Sequence, residues 1–187
     1  MTALSVHIPT LETERLILRA PREDDIGPLA EFFADAEYSA GFGGPLERGD
    51  AWRWHALSVG HWIFRGYGYF SIDLKEDGTH IGLAGIWNPE GWPEPELGWV
   101  IYKQYQRLGY AAEAALAART WAYDVLGMPA LCSNIVPENI SSIRLAERLG
   151  ARFEHAYDNV FMGHVHAYRH PGPGAAADAD GSVEAYA

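Results

Sequence analysis

Gln106-Arg107-Leu108-Gly109-Tyr110-Ala111 decides how the rest of this chain reads, because of what stands on either side of it. The apolar run Leu97-Gly98-Trp99-Val100-Ile101 before it has the character of a strand, and the alanine-rich run from Ala111 to Leu126 after it has that of a helix. A small-residue turn from strand into helix leaves the first backbone N–H groups of the helix without intrahelical acceptors, at the positive end of its dipole. Such a turn is a site for an anion, most simply a phosphate or pyrophosphate.

Upstream, Arg15-Leu16-Ile17-Leu18-Arg19 reads as a first strand with charged ends. Asp24 and Asp25 open an acidic helix whose apolar face is Ile26, Leu29, Ala30, Phe32 and Phe33, with Pro28 tolerated near the first turn. The glycine break Gly41-Phe42-Gly43-Gly44-Pro45 precedes a second helix from about Glu47 to Phe64. Strands follow at Tyr67–Leu74 and Ile81–Trp87, around the turn Lys75-Glu76-Asp77-Gly78. The proline-rich loop Asn88–Pro93 then leads to a fourth strand, Glu96–Tyr102. Downstream come a fifth strand at Ala130–Val136, a helix at Asn139–Leu149 closed by Gly150, and a hairpin of about Arg152–Asn159 and Phe161–Arg169. Beyond His170 the composition collapses to Pro, Gly, Ala and Asp, so 171–187 is expected to be a disordered tail. The order predicts one α/β domain of the α+β type, over about 10–170, with a mixed sheet and helices on its faces.

With 48% hydrophobic residues, the 187-residue chain is expected to bury a substantial core. Its formal charge of −11 argues against nucleic acid and anionic membrane surfaces as partners and favours a cationic substrate, although Asp178, Asp180 and Glu184 in the tail inflate it. No window offers the roughly 18 uninterrupted apolar residues of a membrane helix. No secretory leader is visible, and a cytoplasmic location is expected. Cys132 is the one cysteine, which excludes an internal disulfide, and its apolar neighbours mark it as buried filler. His164 and His166 alternate along a strand but no carboxylate or thiol completes a ligand set, so no metal is expected.

Two nucleotide readings of the turn fail. A dinucleotide fold wants its glycine fingerprint after the first strand and an acid about 20 positions later, whereas this turn follows the fourth strand with a single glycine. A phosphate loop of the Walker type needs a Gly-Lys-Ser/Thr ending, which is absent.

The arrangement instead resembles the GNAT acyltransferases, whose signature after the fourth strand is Gln/Arg-x-x-Gly-x-Gly/Ala; Gln106, Gly109 and Ala111 match it. Gly109–Ala114, Leu11–Arg19, Ile81–Ile86 and Asn139–Arg144 running into Leu149-Gly150-Ala151 are similar to the RimJ/RimL-type branch, which acetylates protein N-termini and other amines. The resemblance implies a central, mostly antiparallel sheet splayed between its fourth and fifth strands, with the pantetheine arm of acetyl-CoA in the gap. It implies that Trp99, Val100 and Ile101 supply a backbone edge to that arm. Gln106, Arg107, Leu108, Gly109, Tyr110 and Ala111 would form the pyrophosphate turn. Arg107 departs from the commonest pattern, in which glycine is frequent there.

The resemblance further implies that Asn139 contacts the cofactor, while asparagine after Pro137 is also a good helix cap; the two roles are compatible. Ser142 lies one helical turn on and would hydrogen-bond the thioester sulfur and protonate the leaving thiolate, since the tyrosine many relatives carry on this helix is missing. The base is expected at the start of the fourth strand, because an amine attacks only when neutral. Glu94 and Glu96 both stand there. Glu96 matches the family's glutamate and is favoured, with Trp92 and Trp99 raising its pKa by desolvation, whereas Glu94 reads as a solvated loop acid. Trp52, Trp54 and Trp62 fall in the second helix, and Gly60–Tyr69 is a candidate lining for the acceptor, with core packing the default for most of these aromatics. The implied activity is direct acetyl transfer from acetyl-CoA to a primary amine. A rival small-amine acceptor and a non-catalytic acyl-CoA sensor keep the same fold. Exposed strand edges at the C-terminal hairpin leave room for a homodimer.

Overall fold

A computed structural model describes residues 6–174, so the expected tail lies outside the described residues from 175 onward. In chain order the elements are β1 (Leu11–Glu12), β2 (Leu16–Arg19), α1 (Ile26–Ala34), α2 (Ala36–Ser39), α3 (Arg48–Arg65), β3 (Tyr69–Leu74), β4 (His80–Trp87) and β5 (Glu96–Ile101). They continue with α4 (Tyr110–Asp124), β6 (Cys132–Ile135), α5 (Ile140–Arg148), β7 (Arg152–Asn159) and β8 (Gly163–Arg169). The two-residue β1 raises the strand count above the seven expected, so the expected fourth and fifth strands are β5 and β6. Pro28 falls in the first turn of α1, where its missing N–H has no helical acceptor to lose. The two aspartates expected to open that helix lie in a 3₁₀ turn, Glu23–Asp25, and Asp25 is buried.

The eight strands form one sheet in the order β1-β2-β3-β4-β5-β6-β8-β7. Every neighbouring pair is antiparallel except β5 with β6, which are parallel and meet at a single register pair, Glu96 with Cys132. Beyond that pair the strands part, which is the expected splay. Alternation along the strands feeds two cores. Leu97 and Ile101 of β5 pack with Phe70, Ile72 and the alanine face of α4. Val100 and Tyr102 point the other way and pack with Phe32, Phe33 and Ala51 from α1 and α3. Helices therefore cover both faces.

Side chains pin the apex of the splay. The Ser133 hydroxyl of β6 donates to the Leu97 carbonyl of β5 at 2.6 Å, where a continued ladder would have placed a backbone donor. It meets His170 Nε2 at 2.9 Å, and Arg119 from α4 reaches His170 Nδ1 at 3.2 Å. With the serine proton on Leu97, Nε2 carries hydrogen and Nδ1 accepts from arginine, so the imidazole is neutral. Burial, then the positive arginines, hold its pKa down at about 3.

A separate buried cluster ties β2 to β3. Arg19 donates to both carboxylate oxygens of Asp25 and to both of Asp73, and Ser71 donates to Asp25 at 2.6 Å.

Candidate active site

Gly109 is the N-cap of α4 with φ +84°, a conformation open to glycine and strained for other residues. As the expected anion site requires, the N–H groups of Gly109, Tyr110 and Ala111 have no acceptor among the described residues. Arg107 holds φ +60°, a conformation that favours glycine, and its side chain is exposed. Gln106 turns back instead of facing the turn, donating from Nε2 to the Ile101 carbonyl at 3.2 Å. Leu108 is exposed and its carbonyl accepts from Arg15 Nη1 at 2.9 Å. Arg15 also binds Glu113 of α4 at 2.7 Å and lies over the Tyr110 ring, 4.6 Å from its centroid. A guanidinium thus stands beside the turn, although on the sequence Arg15 was only a strand end.

The β5 edge facing the gap is more selective than the three expected residues suggest. The Val100 carbonyl faces β4, against Gly82, so its backbone belongs to the β4 ladder. Ile101 faces the gap, but its carbonyl already accepts from the Tyr38 hydroxyl at 2.7 Å and from Gln106. Leu97 is held by Ser133. Trp99 is left as the residue whose N–H and C=O face the opening without a ladder partner.

Glu96 stands at the apex of the gap and is 6% exposed. Asn134 Nδ2 of β6 donates to its Oε2 at 2.5 Å. The Trp92 indole N–H is buried without a hydrogen-bond partner among the described residues. It is close enough to favour the charged carboxylate but does not reach bonding geometry. Burial dominates, and against the smaller pulls of Asn134 and Trp92 it pushes the Glu96 carboxyl up to about 7. An acid so placed is half ionised near neutral pH, the condition for a general base. Glu94 is no solvated loop acid: both its oxygens bind the Arg169 guanidinium, at 2.6 and 2.7 Å. That bidentate pair occupies both oxygens and anchors the loop leading to Glu96. Cys132 is buried, its thiol pushed up by burial and by the Glu96 charge, which leaves it no nucleophile.

Across the gap Asn139 caps α5, its Oδ1 accepting from Ser142 N at 3.1 Å and from the Ser141 hydroxyl at 2.8 Å. Its Nδ2 lies against Gly41, where a Cβ would come within 2.9 Å, so the 40–44 turn closes over the start of α5. Ser142 is half-buried on the same first turn, and both residues line the cleft that also holds Glu96. This cleft encloses about 2690 Å³. That exceeds the roughly 300–1,000 Å³ of a small-molecule pocket and leaves room for two ligands at once.

The tryptophans of α3 separate by face. Trp62 is core, 1% exposed, and donates from Nε1 to the Tyr69 carbonyl at 2.9 Å; Trp52 is 52% exposed. Trp54 faces the cleft with Phe42, Tyr69 and Trp87. Of the expected Gly60–Tyr69 lining, Tyr69 alone reaches the cleft. Asn134 escaped the sequence reading, but a polar residue inside an apolar strand needs a buried partner, and Glu96 is that partner.

The sheet opens beside helix N–H groups unpaired among the described residues, with a carboxyl of raised pKa at the apex, and the family to which the chain belongs makes the protein an acyltransferase. The acetyltransferase (GNAT) domain family matches residues 15–152, and the chain belongs to that family. Among solved structures it is similar to the acetyltransferase from Agrobacterium tumefaciens str. C58, at 37% identity and a TM-score of 0.81 over 91% of this chain and 99% of that one. It shares the fold of RimL, the ribosomal L7/L12 alpha-N-protein acetyltransferase in complex with coenzyme A, at 15% identity and a TM-score of 0.70 over 86% of this chain and 97% of that one. Among curated relatives, the uncharacterized N-acetyltransferase YnaD of Bacillus subtilis (strain 168) is 32% identical over 85 residues, 46% of this chain. That match spans half the length of YnaD. The uncharacterized protein YkkB of the same organism is 27% identical, over 76% of this chain and 85% of its own length.

Proposed function

We propose that the chain moves the acetyl group of acetyl-CoA directly onto a primary amine, in the manner of the RimJ/RimL-type branch whose acceptors are protein N-termini and small amines. The observation that carries this reading is Glu96: a buried carboxyl with a pKa of about 7, at the apex of the β5/β6 gap. The free Trp99 carbonyl would pair with the pantetheine arm like an added strand, which leaves the Trp99 N–H for the thioester oxygen. The orphan N–H groups of Gly109, Tyr110 and Ala111 would receive the pyrophosphate, with Arg15 beside them.

Glu96 takes one proton from the substrate ammonium, directly or through water, and frees the nitrogen lone pair. The neutral nitrogen attacks the thioester carbonyl, and the carbonyl oxygen becomes an oxyanion facing the Trp99 N–H. As the tetrahedral centre collapses, the C–S bond breaks, the Ser142 hydroxyl gives its proton to the departing sulfur, which leaves as the free thiol, and the second nitrogen proton restores the hydroxyl, directly or through water. No residue becomes acylated.

The test is Glu96→Gln. Thiol release from acetyl-CoA is expected to fall by about 10²-fold or more while coenzyme A affinity stays within a few-fold. Unchanged turnover would sink the assignment of the base.

A further inference from the structure

We infer that the acceptor amine is carried on a flat apolar skeleton, an arylalkylamine or the aromatic first residue of a peptide, seated on the ring wall beside Glu96. This rests on the acyl-transfer reading above and adds the acceptor class. Trp87 and Glu96 are direct cross-strand partners on β4 and β5, so their side chains share one face of the sheet. Tyr69 reaches the same face at the next rung, where its partner Gly85 and that residue's partner Gly98 carry no side chain to cover it. The Glu96 charge raises the Tyr69 phenol pKa, second to burial, which puts the ring beside the carboxylate.

Trp54 from α3 and Phe42 from the 40–44 turn complete the wall. The centroid of Trp54 is 5.8 Å from that of Trp87 and 5.9 Å from that of Tyr69; Phe42 is 5.4 Å from Trp54 and 5.6 Å from Tyr69. Trp87 and Tyr69 are buried beneath, whereas Trp54 and Phe42 are only half-buried where they line the cleft. His61 stacks on Trp87 at 4.5 Å; it accepts from Asn88 N–H and donates to the Tyr67 carbonyl, so it is neutral and places no charge behind the wall. An aryl group stacked here buries its faces on other rings and leaves a single ammonium beside a single buried carboxylate.

The charge count speaks against polycations. Of the carboxylates around the wall, Asp50 is bound by Arg53 and Asp35 by Lys103, and Glu37 and Glu138 are exposed on the cleft lining, so Glu96 is the buried one. A polyamine seated on the wall would bring its second and third ammonium groups against rings instead of a buried carboxylate, and desolvating them there is costly.

The experiment pairs two measurements. Calorimetry follows 2-phenylethylamine binding to the protein saturated with coenzyme A. Thiol release with acetyl-CoA compares 2-phenylethylamine, ethylamine, spermidine, and peptides beginning with Phe or with Ser. An aryl acceptor favoured at least about tenfold over the others supports the inference, and whichever of free amine or Phe-first peptide is better assigns the source. Trp54→Ala is then expected to reduce kcat/KM for the aryl acceptor by about tenfold relative to ethylamine, and exposed Trp52→Ala to leave that ratio unchanged. Spermidine or the Ser-first peptide preferred, with turnover intact, overturns the inference and leaves acyl transfer standing. Aryl-amine binding that Trp54→Ala abolishes, with no thiol released from any acceptor, keeps the wall and overturns the acyl-transfer reading. Neither binding nor thiol release overturns both.

Discussion

The Tyr69 hydroxyl lies 2.2 Å from the point at which a Cβ on Gly98 would stand. The ring crosses β4 above Gly85 and ends on β5, one residue short of Trp99, so the missing side chain at 98 is what admits it. Gly98→Ala is therefore expected to force the ring aside and destabilise the fold by about 1–3 kcal/mol, with a parallel loss of turnover. Removing the oxygen in Tyr69→Phe should relieve part of the clash. Thermal unfolding of the two single variants and the double variant measures this as a coupling of about 1 kcal/mol; strictly additive losses would contradict the contact.

Glu96 makes two pH predictions of opposite sense. As a base it acts when ionised, so kcat/KM should rise with pH through about 7 and level off above it. Stability runs the other way. The folded pKa is raised from 4.5 to about 7, so the unfolded chain loses this proton first and folding weakens as pH climbs across that window, by roughly 3 kcal/mol in all. Glu96→Gln should flatten both profiles. Urea titrations at pH 4.5 and pH 8, compared with the parent, check the second.

The α4 N-terminus predicts a pure binding defect. Gly109→Val asks a β-branched residue to hold φ +84° with an Arg15 nitrogen 3.2 Å from its Cβ. Coenzyme A affinity by calorimetry should drop by more than about tenfold, because the orphan N–H groups lose their common direction. Unchanged affinity would show that the pyrophosphate binds elsewhere.

Acid sensitivity should trace to Arg19. Burial alone would raise the Asp25 pKa, but the hydrogen bonds from Arg19 and Ser71 outweigh it and hold the carboxyl well below its usual 3.8. Its contribution is present above that value and is lost as pH falls below it. Asp25→Asn leaves Arg19 short of a counter-charge and should cost about 3 kcal/mol at pH 7, with a smaller difference at pH 3. Denaturant midpoints at the two pH values test this.

The backbone framework was legible because it is local. Gly109 after an apolar strand and before an alanine run announces a strand-to-helix turn, and the helices expected at 47–64 and 139–149 appear within a residue at each end. The partnerships that complete the site were not legible, because they join distant positions. Asn134 reaches Glu96 across 38 residues, Arg169 reaches Glu94 across 75, and Arg15 reaches Leu108 across 93. Glu94 read as solvated because nothing near it in sequence hints at Arg169. The three tryptophans of α3 show the same limit: their spacing gives a helix, but which of them meets core, cleft or solvent depends on what packs above it.

The single register pair between β5 and β6, Glu96 with Cys132, sets the two strands as blades that part from one point, and the carboxyl sits at that point. On the proposed reading, an acyl carrier lying between the blades meets this residue nearest their junction. Donors with thicker or thinner acyl groups would thus meet the same proton acceptor in the same place. One geometric arrangement would then serve different donors with the same chemistry.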